Sequence, residues 1–217
     1  MVNCMPRTKL SSQRLAEVKR TNIGRIIIFC EGKTEKHYFD YFTEIMKGNK
    51  YTDIKVILET AGGNAQTVFN FAKKYMAEEE NIRIFSTYGK YLVFDCDSPP
   101  DIQSVIKDAC DYELLVSNLL FETWLLMHYE DVNDKLTKRQ TYSRLSENLY
   151  CKNYKKGQKG IIREIIQNGE IEKAIDSAER LEKAYEEEGK SIFANIKEMN
   201  PYTSVYKLVE QFMAEIS

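Results

Sequence analysis

The stretch Arg25-Ile-Ile-Ile-Phe-Cys30, followed by Glu31-Gly-Lys-Thr-Glu35, decides the fold class of this chain. Its β-branched and aromatic residues form a short continuous apolar run, which is typical of a strand buried on both faces. The run ends at Glu31-Gly32, and a helical spacing of apolar residues begins after Thr34. We therefore predict a strand, a tight turn and a helix, in that order.

The same alternation of strand and helix recurs further along the chain. Three more strands are predicted over 53–58, 91–94 and 112–116. Helices are predicted over 66–76 and 102–110, and from a cap at Ser117-Asn118 to about Tyr129. This alternation favours an α/β domain with a mostly parallel, four-stranded sheet flanked by helices.

Composition and charge divide the chain into three parts. A basic N-terminal arm (1–24) precedes the α/β core (25–132), and a mostly helical C-terminal extension of the same domain follows (133–217). The chain has 217 residues, of which 43% are hydrophobic and 29% charged, so we exclude a disordered or fibrous protein.

Neither a membrane segment nor a cysteine framework is expected. No apolar run approaches the ~20 residues that cross a bilayer, and no signal-peptide core is present, so we expect a cytoplasmic protein without a membrane partner. The five cysteines are odd in number and contain no CxxC pair. A disulfide framework or a zinc knuckle is therefore disfavoured.

Polar side chains follow three of the four predicted strands. Because ligands of open α/β sheets bind beyond the carboxyl ends of the strands, we expect these side chains to share one site. Crowded carboxylates repel one another unless a cation lies among them, and oxygen ligands favour Mg²⁺, with Mn²⁺ as an alternative. The predicted metal ligands are Glu31, Asp95, Asp97 and Glu122.

Several of these residues also have simpler interpretations. Glu35 could reach the metal, or it could be a first-turn glutamate favoured by the helix dipole. Glu122 could bind or orient a metal ligand, or only hold its helix in place through hydrogen bonds. Asn118 would lie on the same helix face as Glu122 and support the site. Lys33 could bind a phosphate, or it could be a solvated turn residue.

A basic segment follows the core. Residues 133–163 contain nine Lys and Arg against two Asp and Glu, and Tyr142, Tyr150 and Tyr154 are interleaved with them. Basic residues bind phosphates and tyrosines can stack on unpaired bases, so we favour a nucleic-acid surface over a solubilising helical face. The candidate nucleic-acid contacts are Lys33, Lys152, Lys155, Lys156 and Lys159.

Several motifs together resemble one protein family. The run Ile26–Phe39, with Phe94-Asp-Cys-Asp97 and Ser117-Asn-Leu-Leu-Phe-Glu-Thr-Trp-Leu-Leu-Met-His128, resembles the RloB-like (AbiL-type abortive infection) proteins. Tyr154-Lys-Lys156 and Asn200-Pro-Tyr-Thr203 also fit, so the resemblance covers nearly the whole chain. The family is similar to Toprim domains, the fold shared by topoisomerases, primases and OLD-type nucleases.

This resemblance carries expectations for both site and function. It matches Glu31 to the Toprim glutamate, and Asp95 and Asp97 to the Toprim Asp-x-Asp pair. It implies a Mg²⁺-dependent nuclease that cleaves DNA or RNA in prokaryotic defence against phage, often beside a separate ATPase partner. The catalytic candidates are Glu31, Glu35, Asp95 and Asp97, with Glu31 or Glu35 as the base that activates water.

Two other functions compete with this one. The chain could be a catalytically inactive Toprim-like module that binds or scaffolds an ATPase partner. It could also be a phosphotransferase or phosphatase of haloacid-dehalogenase type, because Phe94-Asp-Cys-Asp97 resembles the motif of that family. That family places its motif near the N-terminus and leaves Glu31-Gly32 unexplained. This chain has no P-loop pattern, so we do not expect it to hydrolyse ATP itself.

Overall fold

A computed structural model describes residues 23–60, 64–96, 102–147, 151–152 and 154–216, and these form an α/β fold. The sheet has five strands in the order β2-β1-β3-β4-β5. The strands are β1 (Arg25–Cys30), β2 (Asp53–Leu58), β3 (Gly89–Asp95), β4 (Glu113–Asn118) and β5 (Tyr202–Thr203). The first four are parallel, and β5 pairs antiparallel with β4. Residues 1–22 of the predicted basic arm (1–24) lie outside the described residues, and so does Asp97.

Helices connect the strands and form the C-terminal part. Those of the first half are α1 (Lys33–Ile45), α2 (Ala65–Ala77), α3 (Glu79–Phe85), α4 (Ile102–Asp108) and α5 (Phe121–Met127). Those of the second half are α6 (Lys138–Ser146), α7 (Lys159–Asn168), α8 (Ile171–Glu187), α9 (Ile192–Asn195) and α10 (Tyr206–Ile216). The prediction of a helical C-terminal part is confirmed.

The position of strand β1 in the sheet explains its apolar sequence. It lies between β2 and β3, and its residues alternate between two cores. Ile26 and Ile28 pack into the core on one face, whereas Ile27 and Phe29 pack into the core on the other. Because both faces are covered, every position from Ile26 to Cys30 is buried, and a continuous apolar run is required.

Helices cover both faces of the sheet. Residues of α1, α5, α7 and α10 form the core on one face, and residues of α2 and α4 form the core on the other. Phe42 of α1 stacks on Phe212 of α10 with ring centroids 4.9 Å apart. The C-terminal part thus packs directly on the helix that follows β1.

The expectation of four strands is wrong, because β5 adds a fifth. Its two residues are too few to produce a periodic pattern in the sequence. Ser204 extends this pairing beyond the strand. Its backbone N–H donates to Val116 O at 3.0 Å, and its Oγ accepts from Val116 N at 2.9 Å. The Ser204 hydroxyl also donates to Leu114 O at 3.1 Å.

The predicted cap at Ser117-Asn118 is also wrong. Strand β4 continues through Asn118, so both residues pair with β5 instead of starting a helix. Helix α5 begins at Phe121, after an extended Leu120 that makes no side-chain cap. Asn118 and Glu122 therefore do not share a helix face.

Within the described part of the chain, none of the helices is both long enough and apolar enough to cross a bilayer. The described cysteines, Cys30, Cys96, Cys110 and Cys151, form no disulfide with one another.

Ser204→Ala should destabilise the protein by roughly 1–3 kcal/mol, because it leaves the buried N–H of Val116 without its acceptor. Urea denaturation would measure the change, with Ser86→Ala at an exposed serine as the control. Equal stability of the two variants would show that the Ser204 hydroxyl does not hold β4.

Candidate active site

Two acidic side chains meet where β1 and β3 end. Glu31 follows β1, and its Oε2 accepts a hydrogen bond from the backbone N–H of Asp95 at 3.2 Å. Asp95 ends β3, and its Oδ1 accepts from the backbone N–H of Phe121 at 2.7 Å. Because β1 and β3 are parallel neighbours, their carboxyl ends reach the same edge of the sheet. The predicted meeting of Glu31 and Asp95 is thereby confirmed.

Glu35 lies beside them in the first turn of α1. Its side chain is only 1% exposed, and its Oε2 has no hydrogen-bond partner among the described residues. Gly32 makes room for it, because a Cβ at position 32 would lie 2.6 Å from that oxygen. A side chain at position 32 would therefore displace the Glu35 carboxylate from the place it occupies.

Glu122 reaches the same region from α5. It is fully buried, and its Oε1 accepts a hydrogen bond from the Tyr154 hydroxyl at 2.8 Å. Its Oε2, like that of Glu35, has no hydrogen-bond partner in the described structure. We call Glu31, Glu35, Asp95 and Glu122 the carboxylate cluster.

Burial and mutual repulsion raise the pKa values of two acids of this cluster, Glu35 and Asp95. The pKa of Glu35 is raised from its ordinary value of 4.5 to about 7, chiefly by burial. The charges of Glu122 and Glu31 contribute to this rise, whereas Lys156 opposes it. Burial also raises the pKa of Asp95 well above its usual range, and the charge of Glu35 adds to the effect. The cluster thus holds negative charge at a high cost in free energy.

Lys156 is the basic side chain that faces the cluster. Its Nζ lies 3.8 Å from Asp95 Oδ2 and 4.0 Å from Glu122 Oε2. Burial by itself lowers the pKa of this lysine, but the Glu122 and Asp95 carboxylates outweigh that effect and raise its pKa. Lys156 is therefore a charged counter-ion for two buried acids.

The backbone around Lys156 is held against α1 and α5. Tyr154 donates to Glu122, and the backbone N–H of Gly157 donates to Thr34 Oγ1 at 2.9 Å. Gly157 has a positive φ of +74°, and a Cβ there would lie 3.0 Å from Lys33 Cβ. These contacts explain why a remote segment of the chain can deliver Lys156 to the cluster.

Tyr154 is a site residue that packs inside the protein, contrary to the prediction that it stacks on bases. Its ring is only 8% exposed and stacks on Tyr142, with ring centroids 6.2 Å apart. It is therefore not available to stack on bases. Thr34 and Gly157 were missed altogether, although Tyr154-Lys-Lys156 was one of the motifs that indicated the family.

The remaining predicted residues are distributed outside the cluster. Lys33, Lys152 and Lys155 are exposed, whereas Lys159 pairs with Glu44 at 2.8 Å on the surface of α1. The Asn118 side-chain amide donates to Ile196 O at 2.5 Å. It therefore joins β4 to the segment after α9. Asp97 follows Asp95 by two residues and lies outside the described residues.

The donor atoms of the cluster suit a hard cation in kind. All are carboxylate oxygens, and two of them are buried without a hydrogen-bond partner. As the side chains stand, the ranges that the structure describes contain no group of three His, Cys, Asp or Glu close enough to hold a metal ion. A metal would require these carboxylates to converge, and Asp97 is a further donor to consider.

A separate groove of about 880 Å³ lies between α8, Asp131 and Met213. Most of its charged side chains are exposed, and Arg180 pairs with Asp131 at 2.8 Å. It holds none of the buried unpartnered oxygens found at the carboxylate cluster, so we place the candidate active site at the cluster.

Comparison with protein families matches residues 26–212 to the family described as RloB-like protein. The matched range contains all four members of the carboxylate cluster and Lys156. No curated protein sequence and no solved structure matches the chain.

Glu35→Gln should stabilise the metal-free protein by roughly 1–3 kcal/mol at about pH 8. The folded protein retains a proton on Glu35 that the unfolded chain releases at about pH 4.5, so wild-type stability is lost as pH rises from about 4.5 to about 7. Thermal unfolding with a chelator across this range would show the two proteins diverging.

The matched control lies on the same helix and should respond in the opposite direction. Lys159 lowers the pKa of Glu44, so Glu44→Gln should reduce stability above the ordinary pKa of a glutamate. If Glu35→Gln and the wild-type protein have the same melting temperature at every pH, burial of the charged Glu35 does not cost the free energy assigned to it.

Proposed function

Because this chain belongs to the RloB-like protein family, we propose that it is a Mg²⁺-dependent, Toprim-like nuclease that acts on DNA or RNA in prokaryotic defence against phage. The observation that carries the proposal is the carboxylate cluster at the carboxyl ends of parallel strands, with buried oxygens on Glu35 and Glu122 that lack partners. A separate ATPase partner belongs to the same proposal.

The proposed metal ligands are Glu31, Asp95, Asp97 and Glu122, with Mn²⁺ as an alternative ion. Glu31 and Asp95 suit this role because backbone N–H groups already fix one oxygen of each. When bound, the ion would polarise a phosphoryl oxygen and stabilise the leaving oxygen of a phosphodiester. The protein's part is to hold these oxygens in place at the sheet edge.

Glu31 and Glu35 are the candidate bases for the attacking water. Glu31 lies in the turn between β1 and α1, and Glu35 lies in the first turn of α1. Thr34, which precedes Glu35, anchors the backbone of Gly157. Glu35 has the stronger claim to a proton-transfer role, since its buried Oε2 has no hydrogen-bond partner among the described residues.

Exposed lysines near the cluster are the proposed contacts for the phosphate backbone. Lys33, Lys152 and Lys155 are exposed, and among the described residues no acidic side chain pairs with them. Lys159 takes part less directly, because Glu44 already neutralises it. Lys156 contacts the cluster itself.

A catalytically inactive binding module for an ATPase partner is the second candidate function. The observation that favours it is the arrangement of the described acids, which does not yet form a three-ligand metal site. In an inactive module, Lys156 would be a permanent counter-ion. Unchanged melting temperature on addition of Mg²⁺ or Mn²⁺ would support this candidate over the nuclease.

Glu31→Gln and Asp95→Asn should each lower Mg²⁺-dependent cleavage by about 100-fold or more, because each removes a charged ligand from the metal site. Both amides keep an oxygen that can accept the backbone N–H bond of the original carboxylate, so the fold should persist. Panels of single- and double-stranded DNA and RNA with Mg²⁺ or Mn²⁺ would measure the activity.

Asp40→Asn is the control for these two variants, since Asp40 pairs with Lys36 on the outer part of α1. It should cleave at the wild-type rate. Cleavage at wild-type rates by all three variants would exclude the proposed metal site.

Charge reversal of Lys152 and Lys155 together should weaken nucleic-acid binding and flatten its dependence on salt. Each lost phosphate contact lowers the salt slope by about one, because fewer counterions are released. Titrations of labelled nucleic acid at several salt concentrations would measure affinity and slope. Lys183→Glu, on the exposed face of α8, provides the matched reversal at a site away from the cluster. If the combined reversal of Lys152 and Lys155 leaves affinity and salt slope unchanged, the basic segment is a solvated surface.

A further inference from the structure

Lys156 contributes a positive charge to the carboxylate cluster from a distant part of the sequence. Its Nζ is within 4.0 Å of oxygens on both Asp95 and Glu122, which lie on β3 and α5. Among the described residues, it is the basic side chain that forms ion pairs with this cluster. The ammonium therefore sits beside the two acids that a bound cation would have to contact.

The lysine offsets part of the negative charge of the cluster but does not donate hydrogen bonds to its oxygens. Both distances are longer than a hydrogen bond, and Glu122 Oε2 still lacks a hydrogen-bond partner. Glu35 Oε2 also lacks one, although its side chain is 1% exposed. These buried oxygens are an independent indication that the cluster is built for a further ligand.

A divalent cation would meet both needs at once. It carries twice the charge of the ammonium, and it binds carboxylate oxygens at about 2.0–2.1 Å in the case of Mg²⁺. At such distances an ammonium and a metal ion would repel each other strongly between the same acids. The two cations are therefore alternatives at this place.

The side chain of Lys156 can leave while its backbone stays. Tyr154 and Gly157 hold the backbone through their hydrogen bonds to Glu122 and Thr34. The Lys156 side chain, in contrast, is 45% exposed and makes no hydrogen bond with the described residues. A flexible four-carbon stem with an open path to solvent can turn outward without unfolding the segment.

We propose that Lys156 is an internal counter-cation that occupies the place of the divalent ion in the metal-free protein and is displaced when that ion binds. The proposal rests on the metal-dependent function inferred above and adds regulation of the same site. It makes metal affinity depend on a competition within the chain. The lysine stabilises the empty cluster and at the same time weakens metal binding.

Calorimetric titration with Mn²⁺ tests the competition through the variant Lys156→Met, which keeps the aliphatic stem and removes the charge. The variant should bind Mn²⁺ about tenfold more tightly than the wild-type protein, because no internal cation has to leave. Its melting temperature should be lower than that of the wild-type protein in chelator, and Mn²⁺ should raise it by more.

Lys207→Met is the matched control, because Lys207 also pairs with a largely buried glutamate, Glu182, at 2.9 Å. Glu182 keeps the hydroxyls of Tyr202 and Tyr206 as donors, so this variant should fold. It should bind Mn²⁺ with wild-type affinity. Equal Mn²⁺ affinity of the wild-type protein and Lys156→Met would overturn the displacement while leaving the metal site intact.

A second measurement needs no variant. Acetylation of wild-type lysines, followed by peptide mass spectrometry, should show Lys156 reacting severalfold faster with Mn²⁺ present, whereas Lys207 should react at an unchanged rate. An unchanged or slower reaction of Lys156 would contradict the displacement. Absence of Mn²⁺ binding by both the wild-type protein and Lys156→Met would instead contradict the metal-dependent function itself, and the displacement with it.

Discussion

Burial of several carboxylates next to one another is the constraint on which the rest of this structure depends. Removing a carboxylate from water costs free energy, and each neighbouring acid adds repulsion. The fold offsets part of this cost with backbone N–H donors to Glu31 and Asp95 and with the Tyr154 hydroxyl on Glu122. Glu35 fits into the space left by Gly32, and a backbone hydrogen bond and the charge of Lys156 offset part of the cost of burying it.

This constraint explains why residues that are far apart in the sequence are held together. The acids come from the end of β3, the turn after β1, and helices α1 and α5. The tyrosine and the lysine that partner them come from the loop before α7. A helix layer that only covered the sheet would not need a buried Tyr154 or a left-handed Gly157. Both are explained by the need to bring a hydroxyl and an ammonium to buried acids.

Sequence reasoning succeeded where a local pattern determines the structure. The apolar run Ile26–Cys30 can be accommodated only with cover on both faces, and parallel pairing then brings Glu31 and Asp95 to one edge. It failed where the deciding contact is remote. Strand β5 is two residues long, and its partner β4 lies about 85 residues earlier in the chain, so no periodic pattern indicates it.

The contact of Lys156 with the buried acids could not be predicted from the charge of its segment, for a related reason. The segment 133–163 is basic as a whole, but composition does not indicate which lysine turns inward. The structure separates exposed Lys152 and Lys155 from Lys156, which faces the acids, and from Lys159, which pairs with Glu44. The same basic segment therefore contains both lysines at the surface and one lysine that pairs with the acids. What selects Lys156 is the hydrogen bonding of its neighbours, Tyr154 to Glu122 and Gly157 to Thr34.

The stacking of Phe42 on Phe212 has a consequence for the order in which the protein can assemble. Helix α1, which carries Glu35, is covered by α10, which lies far later in the sequence. During synthesis, a nascent chain cannot bury Phe42 against Phe212 until α10 has left the ribosome. Strands β1 and β3 emerge much earlier than α10. The packing that supports α1 is therefore completed by a long-range contact rather than a local one.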